Sequence, residues 1–384
     1  MDQVISFFVA GTTLLLAFLI FANINQVNIS ANRWFGSFIL CVFFIQFNDL
    51  LEKTEFLKTR TLINDFVGIT DFIIAPVFYF SIVHFVQPDR KWRTRDNFHF
   101  ALAFMMLLLL LLAILIEVPP PSTVDKKKAY IIITVFSIFF CAQVISYCIA
   151  AYRKIIAYQK KLLLYTSNTD AVNLKWLQKV VICVLFIAAI WLLDNVFKLA
   201  KTYVFFDHVA SLLYLGGIFF IAYFSLKQKQ CFQLDKQQDI DIIVTETSNI
   251  EVSRKKLISE TELQGIKSSL IQLMEDKKPF LDPELSLFKL ASLLDVSSHT
   301  LSYIINKGCN ENFYQFINRY RIDEAKKMIH DPNMKHLSLI GIAFEVGFNS
   351  KTVFNTTFKK MTNQTPSEFK KSKSRFGINS FITS

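Results

Sequence analysis

Paired cysteines, glycine-rich phosphate loops and HExxH metal spacings are all missing from this 384-residue sequence. Its six cysteines stand singly: Cys41, Cys141, Cys148 and Cys183 in apolar runs, Cys231 just past the last run, and Cys309 in a basic region. Without a CxxC or a Cys/His cluster, metal and redox chemistry are not indicated, and the thiols read as packing residues. Lipidation of Cys231 is the alternative for that one residue. No nucleophile motif accompanies the apolar runs, so neither catalysis nor a cofactor is expected. Acidic side chains are also short in supply, 31 against 42 lysines and arginines, for a net charge of +11 spread over both halves. That excess admits nucleic acid, an anionic membrane surface, or both as partners.

What the chain has in abundance is apolar surface. Apolar residues make up 52% of it and aromatic residues 15%, with forty phenylalanines. This is too greasy for an ordinary soluble protein and long enough for two or three domains. A bilayer span needs roughly 20 apolar residues at about 1.5 Å each. Seven segments qualify: about 4–22, 34–52, 62–85, 98–118, 129–152, 176–198 and 207–226. Buried soluble helices are the competing reading, but Phe104 to Ile116 runs without a charge and the pattern recurs six more times. The first segment reads as a span and not a cleavable signal, since no basic residue precedes it and Phe21-Ala22-Asn23 is not a small-x-small site.

Orientation follows from basic residues in short loops. With the N-terminus outside, the inner side holds Arg33, Arg90, Lys91, Arg93, Arg95, Arg153, Lys154, Lys160, Lys161, Lys175, Lys227, Lys229 and Lys236, thirteen in all. The outer side holds seven: Lys53, Lys58, Arg60, Lys126, Lys127, Lys128 and Lys201. The C-terminal part is therefore expected in the cytoplasm. On that topology Asp49, Glu52, Asp65, Asp71, Glu117, Asp194 and Asp207 all fall in outer halves or outer ends of spans. Intramembrane carboxylates are costly and face a cavity or a partner. Asp49, Asp65, Asp71 and Asp194 are the candidates for an outward-facing polar sensor pocket taking a small ligand, cations included. Asp71 is expected deepest, about 13 Å into its helix, ahead of a potential kink at Pro76. Snorkelling, or pairing with Lys53, Lys58, Lys198 or Lys201, is the structural alternative. His84 has no evident companion and reads as interfacial.

Beyond Lys227 the hydrophobicity collapses, and residues 227–262 form a connector without long Gly/Ser or Pro-rich tracts. Leu263, Ile266, Leu270 and Leu273 then open an amphipathic helix. Two similar blocks follow at an offset of 52 to 53 residues. In the first, about 286–307, Ser286 caps a helix burying Leu287, Leu290, Ala291 and Leu294; the chain turns at Asp295-Val296 and restarts at Ser297, burying Leu301, Ile304 and Ile305. In the second, about 338–360, Ser338 precedes Leu339, Ile342, Ala343 and Val346, Gly347-Phe348-Asn349 turns, and Ser350 begins a helix burying Phe354 and Phe358. Helical angle turns His299, Ser302, Tyr303 and Asn306 outward in one unit, and Lys351, Thr352, Asn355, Thr356 and Lys359 in the other. These are tandem helix-turn-helix units with their second helices placed for major grooves. Between them Phe313, Phe316, Ile317, Tyr320, Ala325 and Met328 follow helical spacing along a rod of about 27 Å, a length suited to holding two reading helices about one DNA turn apart, ~34 Å. Asn306, Lys307, Arg319, Lys359, Lys360 and Lys371 are phosphate-contact candidates, with Arg321, Lys326, Lys327, Lys370, Lys373 and Arg375 also available.

Over about 265–373 the sequence resembles the AraC/XylS family of bacterial transcription regulators, through LSLFKLASLLDVSSHTLSYIIN, NFYQFINRYRIDEAKKMI and IAFEVGFNSKTVFNTTFKKMTNQTPSEFKK. It looks especially like membrane-tethered members with multispan N-terminal sensors. The resemblance implies that His299, Ser302, Tyr303, Lys351, Thr352, Asn355 and Thr356 occupy base-contacting positions. It departs from the family pattern at Asp295, where the turn often has glycine, at Asn363-Gln364, which replaces a glycine-containing pair, and at Tyr303 and Thr356, where many members have arginine. Specificity is then expected to lean on Asn355, Lys351 and DNA shape.

The expected architecture is all-α: a seven-helix transmembrane domain over 1–226, the connector, and a DNA-binding domain over 263–375. The expected function is a non-enzymatic, sequence-specific transcription factor of the bacterial inner membrane, multi-pass, N-terminus outside. It would couple an external or intramembrane small-molecule or envelope cue to double-stranded DNA, and a homodimer is compatible with it. A transporter or channel carrying a regulatory DNA-binding domain is the alternative, and spans that merely anchor the regulator are a third reading.

Overall fold

The computed structural model describes residues 2–23, 27–53, 67–116, 126–168, 173–199, 203–227 and 260–379. Among these residues the protein is all-helical, with one isolated antiparallel bridge between Thr166 and Ser286. The chain divides into two compact units, one of Met1–Tyr158 with Leu174–Gln233, the other of Gln159–Asn173 with Leu234–Ser384.

The first unit contains α1 (Asp2–Ala22), α2 (Ile29–Lys53), α3 (Thr70–Val86), a 3-10 turn (Thr94–Phe100), α4 (Ala101–Leu115), most of α5 (Lys126–Leu162), α6 (Lys175–Leu199) and α7 (Tyr203–Leu226). By length and apolar composition five stretches could cross a membrane: Val4–Ala22, Ile29–Asn48, Thr94–Leu115, Val135–Leu162 and Lys175–Leu193. Thr70–Val86 and Ser211–Leu226 are shorter apolar helices. Apolar helices fall on the described parts of the seven expected segments; residues 62–66 and 117–118 lie outside the described residues, and the last helix begins at Tyr203, ahead of the expected 207. Within the unit α2 packs between α1 and α3, and α7 packs on α1 and α6. Phe35, Phe78, Phe80 and Phe85 fill the interior, while Phe7, Phe8, Phe18, Phe104, Leu108 and Leu112 stand exposed. Water would penalise such a surface heavily, and a monomer in water does not carry it over several helices.

The second unit holds α8 (Glu260–Asp276), a 3-10 turn (Pro279–Leu281), α9 (Leu287–Leu293), α10 (Ser298–Tyr303), a π-turn (Ile304–Gly308), α11 (Phe313–His330), a 3-10 turn (Pro332–Met334), α12 (Leu339–Glu345), α13 (Lys351–Thr362) and α14 (Pro366–Asn379). The 18-residue α11 is the expected rod, started by a reciprocal cap in which Asn312 Oδ1 accepts from Gln315 N at 2.9 Å and Gln315 Oε1 accepts from Asn312 N at 3.0 Å. Its C-terminal half supplies Ile322, Ala325 and Ile329 to a core shared with Ile342, Ala343, Val346, Phe348, Phe354 and Phe358. Each large side chain so buried contributes roughly 1.5–3 kcal/mol. Residues 159–168, expected as part of a loop of the membrane domain, fall with the second unit. His84 is buried: it stacks on Trp34 at 5.8 Å between ring centres, and its Nδ1–H donates to Phe80 O at 2.8 Å.

Candidate nucleic-acid interface

Each helix of both two-helix units begins where a serine side chain accepts an orphan backbone amide: Ser286 from Lys289, Ser297 from Thr300, Ser338 from Gly341 and Ser350 from Val353. The turns use the left-handed region. Asp295 has φ 54° and Gly347 φ 92°, so aspartate adopts the geometry for which glycine is often chosen. Asn363 does the same at the end of α13, with φ 59° and its N–H on Lys359 O at 2.8 Å. Gly347 is different, because a Cβ there would lie 2.6 Å from Phe280 O and 2.9 Å from Leu281 O.

These turns fix the register of the second helices. On α10, Leu301 faces inward, as do Ile304 and Ile305 on the π-turn after it; His299 and Tyr303 are exposed and Ser302 is partly so. Asn306 and Lys307 are exposed on the π-turn, and Asn306 Nδ2 donates to Ser302 Oγ at 3.3 Å. On α13, Phe354 and Phe358 are buried, Lys351, Thr352, Thr356, Lys359 and Lys360 are exposed, and Asn355 is half-buried. Thr356 Oγ1 donates to Thr352 O at 2.8 Å, which lowers its freedom to read a base. Each second helix thus buries an apolar face and opens a polar one.

The helix-turn-helix domain family matches residues 290–372 of this chain. The C-terminal domain is a helix-turn-helix domain of the AraC type. A 73-residue stretch is 38% identical to a protein of Pseudoalteromonas carrageenovora described as an uncharacterised HTH-type transcriptional regulator in the cgkA 5′ region. That stretch is 18% of this chain and spans 41% of the relative's length. No solved structure matches the chain.

Two arginines of the AraC-type domain differ in what they can do. Arg319 is engaged in a fork with Glu311, Nε at 3.0 Å from Oε1 and Nη2 at 3.0 Å from Oε2, and lies over the Tyr320 ring. The fork leaves Nη1 outside it, and that end of the guanidinium is the one available to a phosphate. Arg321, expected among the phosphate contacts, is fully buried and cannot make one. Its Nε donates to Phe280 O at 2.7 Å, and Nη2 donates to Asp282 O at 2.8 Å and to Ser167 Oγ at 3.1 Å. Burial pushes its pKa down to about 10. The guanidinium joins the rod, the turn before α9 and the segment 159–168.

That segment docks through backbone as well as side chains. Leu287 N donates to Tyr165 O at 2.9 Å, Tyr314 N to Leu163 O at 3.1 Å, and Ser167 Oγ to Leu285 O at 2.9 Å. The buried Tyr165 ring stacks on Phe288 with centres 5.7 Å apart and 12° between planes. Ser167 and Arg321 lie 154 positions apart, so no local pattern signals the contact. Of these partners Tyr314 and Arg321 fall within the matched family residues, and the others lie before them.

Of the sensor candidates, Asp71 has a described side chain; Asp65 and the side chains of Asp49 and Asp194 lie outside the described residues. Asp71 stands in the first turn of α3, and residues 62–66, where its helix was expected to begin, lie outside the described residues. It lines a cavity of about 100 Å³ walled by α2, α3, α5, α6 and α7, with Phe38, Ile74, Val144, Ile187 and Ile218 among its apolar lining. Gln46, Tyr147 and Tyr214 are polar members of the same wall. Among the described residues, none of His, Cys, Asp and Glu cluster as metal ligands.

Proposed function

We propose that this chain is a multi-pass membrane protein of the bacterial inner membrane, N-terminus outside, whose cytoplasmic AraC-type domain binds specific double-stranded DNA and regulates transcription in response to a cue sensed by the spans. The observation that carries the DNA-binding part is the pair of serine-capped second helices with open polar faces. His299, Ser302, Tyr303, Lys351, Thr352, Asn355 and Thr356 would meet bases, and Asn306, Lys307, Lys359, Lys360 and Lys371 phosphates. Specificity would rest chiefly on Asn355 and Lys351, since neither reading helix offers an arginine for a bidentate guanine contact.

Coupling is supported by the segment between α5 and α6. At 37 residues α5 is about 55 Å long, well beyond a hydrocarbon core of ~30 Å. The residues directly after it, Leu163 to Ser167, make the hydrogen bonds that brace α9, α11 and Arg321. A displacement of α5 along or about its axis would therefore act on the first helix-turn-helix unit through peptide bonds, without passing through the connector at 227–262. A regulator merely anchored by its spans has no need of such a brace.

The full chain in lipid nanodiscs, incubated with genomic fragments at fixed salt, should retain a defined subset. Asn355→Ala should change which fragments are retained, while Lys360→Ala should weaken all of them alike and flatten the salt dependence by about one charge. Unaltered preference in Asn355→Ala removes the base-contact assignment. An enzyme reporter active only in the cytosol, fused after Ser384, should be active; inactivity there overturns the topology.

A further inference from the structure

We propose that the cavity beside Asp71 binds a small organic ammonium ion, an amine on an apolar body of about three or four carbons. This rests on the sensor reading and gives its ligand a chemical class. Among the described residues, no basic side chain and no hydrogen-bond donor reaches the Asp71 carboxyl group. A carboxylate in so apolar a wall needs a counter-charge, and an intramembrane acid normally has one.

Two further features select a cation over an anion or a neutral lipid tail. Six aromatic side chains line the same cavity, Phe140, Tyr147, Trp191 and Tyr214 among them, and the faces of such rings attract cations, more strongly once water is excluded. Phe140 and Trp191 pack with centres 4.7 Å apart at 59°, so their faces are differently aimed. Next to Asp71 in sequence, the Phe72 carbonyl accepts from Gln143 Nε2 at 3.2 Å, which leaves Gln143 Oε1 buried with no hydrogen-bond partner. Asp71 and Gln143 Oε1 thus add acceptors to a neighbourhood whose wall also carries the donors Tyr147, Trp191 and Tyr214. Volume sets the size: about 100 Å³ is less than the roughly 150 Å³ of a dry cavity that takes up benzene. A branched chain of about three or four carbons with its ammonium group reaching Asp71 is therefore the largest body to expect.

The test is a titration of the full chain in lipid nanodiscs, without DNA, using isopropylamine and isopropanol at pH 7, read by tryptophan fluorescence through Trp191 and by the shift in melting temperature. The wild type should bind the amine saturably and about tenfold more tightly than the alcohol. Asp71→Asn should erase that preference and Asp71→Glu should keep it. Ala188→Phe, which fills the cavity and leaves the carboxylate in place, should abolish saturable binding of both probes. Should Asp71→Asn fail to fold, the other two variants still decide. Equal affinity for amine and alcohol in the wild type, a preference that survives Asp71→Asn, or quenching that persists unchanged in Ala188→Phe would each overturn the site. Because binding is read apart from transcription, a bound amine that leaves a reporter promoter unmoved would count against the coupling and not against the site.

Discussion

Removing the Tyr165 ring tests whether the segment between α5 and α6 is part of the DNA-binding fold. The ring is 1% exposed, so truncation to alanine deletes a fully buried aromatic body and its stack with Phe288, while the backbone carbonyl that serves Leu287 is kept. Comparable aromatic truncations cost ~3–5 kcal/mol, to which the ring pair adds roughly 0.5–1.5 kcal/mol. Against a total stability of about 5–15 kcal/mol for a domain, that is a large share. For a domain of this size it corresponds to a fall in melting temperature on the order of 15 °C. The second unit has no tryptophan, so hydrogen exchange is the assay of choice. The amides of Leu287 and Tyr314, which donate into the segment, should lose protection by two orders of magnitude or more, about 1.4 kcal/mol per factor of ten. Tyr165→Phe should lose little. A fragment covering 255–384 alone should resemble Tyr165→Ala at these amides. If that fragment and Tyr165→Ala both keep full-chain protection, the segment is no part of the fold and the coupling route through it fails.

Gly347→Ala should destabilise the AraC-type domain by ~2 kcal/mol or more, since the new Cβ meets Phe280 O at 2.6 Å and the backbone sits at φ 92°; an unchanged urea midpoint would refute this. At the start of α14, Thr365 N donates to Glu368 Oε2 at 2.7 Å, and that bond holds the Glu368 carboxyl below its ordinary pKa of 4.5. Because the folded pKa is the depressed one, its stabilisation is present above that ordinary value and is lost as pH falls through the folded value. Urea midpoints of the wild type and Glu368→Gln should therefore differ at neutral pH and converge in acid; a constant difference would count against the cap.

The helices, their caps and the duplicated units were legible in the sequence because each depends on neighbours three or four positions away. Ser286, Ser297, Ser338 and Ser350 cap as their positions suggest, Asp295 takes the left-handed turn, and apolar runs become apolar helices. Local hydrogen bonds and one-sided burial decide these matters before any distant residue is consulted. Tertiary structure alone decided the rest. Arg321 reads like a solvent-facing basic residue of the rod, yet three acceptors from two remote segments draw it inside. Residues 159–168 read like a basic membrane loop, yet their carbonyls and Tyr165 complete the DNA-binding unit. Asp71 stands out in the sequence as the deepest of seven outer carboxylates, and the convergence of five helices supplies the cavity it lines. Contacts closed across a hundred or more residues leave no periodic trace, since chain connectivity constrains neither partner's identity.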